Sequence, residues 1–335
     1  MRRILMIWFS VFFLCVSFTF AKAKPLQIYF IDVEGGQSTL LVGPSGESLL
    51  IDAGWPGEDN ANKILAVAKI AGIQKIDYLW STHYHPDHAG GIPALAAKIP
   101  IGTFVNHGAN VENDDDTKQV YAAYQKVIAD KPHLTLKPGD RLPFKDLKVQ
   151  VLTSDGKQIS DPLPGAGAAN PLCAAEPKVK PEPGENPQSL GALITYGKFR
   201  FLDIGDLEKD GELALACPNN LIGTVDLYLA THHGSAWSNP KAIVWALHPR
   251  VSVINNGFQK GNDPAAWQIV HDSPGLEGLW QLHFAEAGGK DHNVEEKFLA
   301  NLDESTTHYL KITAMPNGTF TVLNTRNNFE KTYKK

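Results

Sequence analysis

Thr82-His83-Tyr84-His85-Pro86-Asp87-His88 is the stretch on which the reading of this chain turns. An apolar run at residues 76–81 leads into it, and the glycine pair Gly90-Gly91 follows it. In extended backbone, side chains two apart leave on the same side, so His83 and His85 can bind one metal ion together. Asp87 and His88 are neighbours and must diverge, which suits a second ion beside the first. Imidazole nitrogens and carboxylate oxygens suit zinc, at about 2.0–2.2 Å from the ion, and manganese or iron accepts the same donors. Four ligand-type residues in six positions exceed what a polar surface loop carries by chance.

Two later stretches repeat the pattern of a strand running into polar residues. Phe199-Arg-Phe-Leu-Asp-Ile-Gly-Asp-Leu207 delivers Asp206 just beyond a buried strand, after Gly205 has removed side-chain bulk. A carboxylate there can bridge two cations and fix their spacing. Its competing reading is a cap for the helix that follows. Asp226-Leu-Tyr-Leu-Ala-Thr-His-His-Gly-Ser235 brings His232 and His233 to another strand end. One of these ligates the second metal, and the other protonates a leaving group or donates to an oxyanion. Spacing does not separate the two roles. The assignment adopted is His232 as ligand and His233 as catalytic proton donor, with the exchange of roles as its alternative.

The chain has 335 residues, of which 43% are hydrophobic and 20% charged, so a packed core is expected and wholesale disorder is not. Arg2 and Arg3, an apolar run to Phe20 and Ala21-Lys22-Ala23 read as a secretory signal peptide over residues 1–23. The expectation is a secreted or periplasmic protein with no stable membrane span once the leader is removed. Removal leaves 28 basic against 36 acidic residues, a net charge of −8, which repels nucleic acid at long range. Cys173 and Cys217 remain, and in an oxidising compartment they could pair, although sequence alone does not bring them together.

Residues 24–335 read as one hydrolase domain. Strand-like runs at 26–33, 39–42 and 49–52 predict an antiparallel meander, followed by a helix at 61–71 and a strand at 76–81. Helical segments at 93–98 and 117–129 alternate with extended ones at 103–106 and 147–152. Residues 154–188 lose all periodicity and read as a long irregular insertion. Strands at 190–196, 199–203, 225–230 and 251–254 then alternate with helices at 207–216 and 240–247. From about residue 258 a C-terminal extension is expected, with a strand at 279–284, a helix near 294–302 and a hairpin turning at Asn317-Gly318. Both halves run strands then helices, which predicts a layered architecture of the α/β or α+β class.

Taken together, His83, His85, Asp87, His88, Asp206 and His232/His233 resemble the metal site of the metallo-β-lactamase superfamily. The finer resemblance is to the hydrolase domain of the ComEC/Rec2 competence proteins and their stand-alone relatives. Asp32-Val-Glu-Gly-Gly-Gln37 resembles that group's Asp-Val-Gly-Gln-Gly-Asp signature, Ile51-Asp-Ala-Gly54 its second strand, and Asn186-Pro-Gln-Ser-Leu190 its Asn-x-x-Ser-Leu element. The resemblance covers about residues 26–257 and implies a four-layer αββα sandwich with one or two zinc ions at one edge of the sheets. It departs at Ser38, where the group has Asp, and at Asn186, where most of the superfamily has a further His ligand. Asn186 and Ser235 are the residues expected to meet substrate.

The chemistry expected of such a site is hydrolysis by a metal-bound hydroxide that Asp87 orients while ligating. A small-molecule or lipid-linked phosphodiester is the first choice of substrate. The alternatives are a carboxylic ester, lactone or β-lactam, and a non-catalytic metal-binding module. Weaker candidates are Asp32 and Asp52 as orienters of imidazoles, His107 as a lining residue, and His283 and His292 as groups closing over the metals. Trp237, Trp267 and Trp280 read as core or rim.

Overall fold

Neighbouring residues of the strands part to different cores, and this alternation builds the layers. The computed structural model describes residues 23–177, 179–181 and 183–335; apart from Ala23, the expected leader lies outside them. Ile28, Leu41, Leu49, Phe201, Leu227 and Val253 point into one apolar cluster between two sheets. Tyr29, Leu40 and Leu50 point the other way, onto the helices Glu58–Ile70, Ile92–Ala96 and Asp115–Ile128. Leu202, Tyr228 and Ile254 likewise face outward onto Lys209–Ala216, Lys241–Leu247 and Pro264–His271. Three cores between four layers make an αββα sandwich, the metallo-β-lactamase fold.

Each sheet has nine strands among the described residues. The first runs from the edge strand Glu330–Tyr333 through the hairpin Phe320–Asn324 and Leu310–Ala314 to Leu26–Phe30. It continues through Thr39–Val42 and Ser48–Ile51, the antiparallel meander, to the parallel strands Ile76–Trp80, Ile101–Asn106 and His133–Thr135. In the second sheet, Phe199–Asp203, Leu227–Leu229, Val251–Ile254, Gly278–His283 and Leu299–Asn301 are parallel neighbours. Parallel strands send all their carboxyl ends to one edge, and loops leaving that edge form the usual ligand crevice.

Two sequence expectations change here. Residues near 294–302 form no α-helix: a short 3-10 turn at Glu296–Phe298 gives way to the strand Leu299–Asn301. Edge pairing to Gly278–His283 and the Asn301 amide, which donates to the Leu282 and His308 carbonyls, override the helical spacing. The stretch from about 258 also supplies strands to both sheets instead of trailing from them. The helix Pro264–His271 and the edge strand Glu330–Tyr333 were absent from the sequence reading.

The irregular stretch at 154–188 is fastened to the second outer layer. Cys173 and Cys217 form a disulfide, with Cα atoms 5.7 Å apart. The Asn170 amide donates to the carbonyls of Ala216 and Ala242, and Glu176 accepts from the Ala242 amide. Among the described residues no helix is long and apolar enough to cross a membrane.

The rings of Phe30 and Phe201 meet edge to face at 5.7 Å and join the two sheets. Both are fully buried. Phe201→Ala is expected to lower unfolding free energy by about 3–5 kcal/mol in urea denaturation with the disulfide intact. A loss under about 1 kcal/mol, the range of ordinary substitutions, would contradict this packing.

Candidate metal centre

The His-rich stretch leaves the carboxyl end of Ile76–Trp80 and turns into the short helix Pro86–Ala89. Proline at the first helical position suits that turn. Beneath it lies Asp52, fully buried and held at φ 60°. Its Oδ1 accepts from the Thr82 amide at 2.8 Å, and its Oδ2 accepts from the Thr82 hydroxyl at 2.6 Å and from His88 Nδ1 at 2.7 Å. Because His88 Nδ1 donates that proton to Asp52, Nε2 is the nitrogen left to offer a lone pair to an ion.

The same reasoning fixes the other two imidazoles. Thr82 Oγ1, its own proton committed to Asp52, accepts from His83 Nδ1 at 3.0 Å. Glu112 accepts from His85 Nε2 at 2.9 Å. The remaining nitrogens, His83 Nε2 and His85 Nδ1, then face each other as lone pairs 3.0 Å apart. Glu185, fully buried in the irregular stretch, supports this loop by accepting from the amides of Tyr84 and Val111.

Asp206 arrives from the end of Phe199–Asp203 by way of Gly205, whose φ of 57° and 3.0 Å approach to Thr82 at an added Cβ exclude a side chain. His232 and His233 follow Leu227–Leu229 in successive left-handed conformations, φ 56° and 54°. Such residues cost about 1–2 kcal/mol each and persist where the surroundings dictate them. They aim the two rings differently. His233 is buried, with Nε2 at 3.2 Å from His88 Nε2, 3.2 Å from Asp87 Oδ2 and 3.3 Å from Asp206 Oδ2. His88 Nε2 lies 3.3 Å from Asp87 Oδ2 and 3.2 Å from Asp206 Oδ2.

This group of Asp87, His88, Asp206 and His233 has the donors and spacing of a metal site. Ligands at zinc distance from one ion stand about 3.3–3.5 Å apart in tetrahedral geometry. Asp206 Oδ1 and His233 Nδ1 are buried without a partner. Burial alone would raise the Asp206 carboxyl, but His233, His88 and His232 hold it well below the usual carboxylate range. Asp87 is held low in the same way, by His88 and His233 against burial. Against burial in turn, Asp206, Asp87 and Asp52 raise the His88 imidazole well above its usual range, so it is a proton on His88 Nε2 that a cation would displace. Two carboxylates and two imidazoles converging at these distances, with Asp206 Oδ1 unanswered, fit a divalent cation.

Of the paired histidines, the geometry brings His233 and not His232 into the converging group. His233 belongs to the converging group, whereas His232 stands at its margin, 3.5 Å from Asp206 Oδ2 and 3.4 Å from the Ser238 hydroxyl. Ser235 is turned away from the group: its hydroxyl donates to Asp263 and accepts from the Trp237 amide. Asn186 donates to Glu208 at 3.1 Å and leaves Oδ1 buried without a partner. Of the weaker candidates, Asp52 lies under His88, His107 bonds to Glu185, and His283 bonds to Asp32. His292 packs against Trp267. Trp280 is core, and Trp237 is 66% exposed.

Lys260 was missed. Its ammonium contacts Asp87 Oδ2 and lies 5.0 Å over the Trp55 ring, while its side chain is 38% exposed. It comes from the loop after Val251–Ile254, whose only sequence signal was its place after a parallel strand. Glu112 was missed too, because it lies in an acidic run that reads as the lead-in to a helix. Asp203 accepts both contacts of the Gln37 amide, and burial lifts its carboxyl to about 7.

The model of the metallo-beta-lactamase superfamily matches residues 32–169. The chain is 25% identical over 255 residues to Recombination protein 2 of Haemophilus influenzae, covering 74% of this chain and 27% of that protein. It therefore spans about a quarter of that relative. The metallo-beta-lactamase fold protein YhfI from Bacillus subtilis is similar at 13% identity, over 76% of this chain and 96% of that one, with a TM-score of 0.46. Tm1679, a metal-dependent hydrolase of the beta-lactamase superfamily, is similar at 14% identity, over 78% and 97%, with a TM-score of 0.46.

Removing the acceptor that sets the His88 tautomer tests the site. Changes to such partners typically weaken metal binding about 10–100-fold. Asp52→Asn is expected to do so in competition with a chromophoric chelator, with the circular dichroism spectrum retained. Unchanged affinity would mean that Asp52 does not orient a ligand.

Proposed function

The fold and the family match support membership of the metallo-beta-lactamase superfamily, and from that premise we propose that this metal-dependent hydrolase cleaves an anionic phosphodiester of a small or lipid-linked molecule. The observation that carries the reading is Lys260. Its ammonium stands at the group's margin, partly exposed, against the oxygen of Asp87 that faces His88 and His233. A phosphodiester carries a negative oxygen beside its scissile bond, and a neutral carboxylic ester does not. The partial likeness to Recombination protein 2 agrees with the ComEC/Rec2 resemblance of the sequence motifs. The balance of 31 basic to 36 acidic residues disfavours long nucleic acid, and removal of residues 1–23 would tip it further, to 28 against 36.

A bound divalent ion, which we take to be zinc, would polarise the scissile group and lower the pKa of a coordinated water. His83, His85, Asp87, His88, Asp206 and His233 would hold it, as one ion or two. Asp52 and Glu112 keep the imidazole lone pairs aimed inward, and Lys260 answers the substrate's charge. His232, at the margin with 16% of its side chain exposed, is placed to pass a proton to the leaving oxygen. Residues 1–23 carry the features of an export signal, and the Cys173–Cys217 disulfide is of a kind that persists in oxidising compartments. Both support action outside the cytoplasm.

Turnover of bis(p-nitrophenyl) phosphate, a neutral p-nitrophenyl ester and nitrocefin by the zinc-loaded protein tests the proposal. The phosphodiester is expected to give the highest kcat/KM, and Lys260→Ala to lower that value about tenfold, equivalent to about 1.4 kcal/mol, while sparing the neutral ester. Preference for the ester or nitrocefin, or an equal effect of the substitution on phosphodiester and ester, would overturn the phosphodiester assignment.

A further inference from the structure

A second group of ligand-type side chains, outside the centre described above, is formed by Asp32, Glu34 and His283. Asp32 lies two residues past Leu26–Phe30 of the first sheet, and His283 is the last residue of Gly278–His283 in the second. The group therefore spans the two sheets at the edge where the parallel strands end. His283 Nε2 is 2.8 Å from Asp32 Oδ1 and 3.5 Å from Glu34 Oε2. Asp32 is 2% exposed and His283 fully buried.

The hydrogen bonds inside the group do not satisfy it. Asp32 Oδ2 and His283 Nδ1 are both buried without a partner. Leaving a buried carboxylate oxygen unanswered is costly. The ammonium of Lys63, 3.4 Å from Glu34 Oε1, is the ion-pair partner found for the two carboxylates apart from the imidazole. Burial first, and then the nearby Asp32, raises the Glu34 carboxyl above its ordinary range. The imidazole and this one ammonium are the ion-pair partners found for the two carboxylates, and Asp32 Oδ2 meets neither.

We propose that Asp32, Glu34 and His283 form a separate structural site for one divalent cation that joins the two sheets. Two carboxylates and an imidazole suit manganese or zinc, whereas calcium takes six to eight oxygen ligands. The site does not depend on the function proposed for the main centre. It does bear on that centre's geometry. Gly36 packs so closely on Asp87 that an added Cβ would stand 2.3 Å from the Asp87 carbonyl, to which the Gln37 amide donates at 3.0 Å. A cation on Asp32 and Glu34 would fix the loop that backs Asp87.

Anomalous diffraction from crystals of the full chain soaked in MnCl2, and in a second set ZnCl2, locates such an ion directly. A peak bounded by Asp32, Glu34 and His283 is expected, apart from any peak at Asp206. In parallel, elemental analysis of metal-saturated, desalted protein should show Glu34→Gln losing one ion per chain. That substitution leaves the Asp32–His283 hydrogen bond in place and changes a side chain that is 34% exposed, so the fold is retained. His83→Ala/His85→Ala should keep the Asp32 ion while losing metal from the main centre. No peak at Asp32 with either metal, or full wild-type stoichiometry in Glu34→Gln, would overturn the site.

Discussion

Buried carboxylate and imidazole atoms that crowd one another are the constraint around which this structure is arranged. His88 Nε2, Asp87 Oδ2, Asp206 Oδ2 and His233 Nε2 stand 3.2–3.3 Å apart in the measured pairs. Nothing hydrophobic is gained by bringing them together, and burial penalises each one. They converge because the backbone segments carrying them are fixed elsewhere, by the apolar core between the sheets. A cation bound there would convert that unfavourable convergence into coordination and so link folding to metal binding.

Asp52 shows how far the arrangement is set from beneath. One carboxylate receives the Thr82 amide, the Thr82 hydroxyl and His88 Nδ1. Through the hydroxyl it also determines which nitrogen of His83 is free. Two imidazoles are thus oriented by a single buried charge at the end of the meander, and a third, His85, by Glu112. The rigidity of the parallel strands behind them preserves these directions, as a preorganised site requires.

Much of this was legible in the sequence, for reasons that differ by residue. His83, His85, Asp87, His88 and Asp206 sit directly at the ends of apolar strands, so local pattern and three-dimensional position coincide. The layered class followed from the alternation of strands and helices. The choice between His232 and His233 was not legible, because it depends on two consecutive left-handed residues whose φ values no local propensity favours. Glu112 and Lys260 act across 27 and 173 positions of sequence, on His85 and Asp87 respectively. Their side chains are ordinary surface types, and only topology brings them in. The residues near 294–302 show the same limit: helical spacing gave way to an available sheet edge.

The carboxyl-end edge carries more polar chemistry than one centre uses. Loops from Leu26–Phe30, Ile76–Trp80, Phe199–Asp203, Leu227–Leu229, Val251–Ile254 and Gly278–His283 all arrive there, each with at least one acidic, basic or imidazole side chain at or near its end. The His283–Asp32 pair and the His88–Asp52 pair are built alike, a buried imidazole held by a carboxylate from a strand of the first sheet. They differ in what the other nitrogen meets. His88 Nε2 points into a ring of acceptors, while His283 Nδ1 meets no partner and uses Nε2 for both Asp32 and Glu34. The same parallel-strand geometry that concentrates ligands at the main centre therefore creates a second place where acceptors outnumber donors. Between the two, Gly35 and Gly36 bring the backbone of the 32–37 loop against Lys260 and Asp87, an approach that a side chain at either position would block.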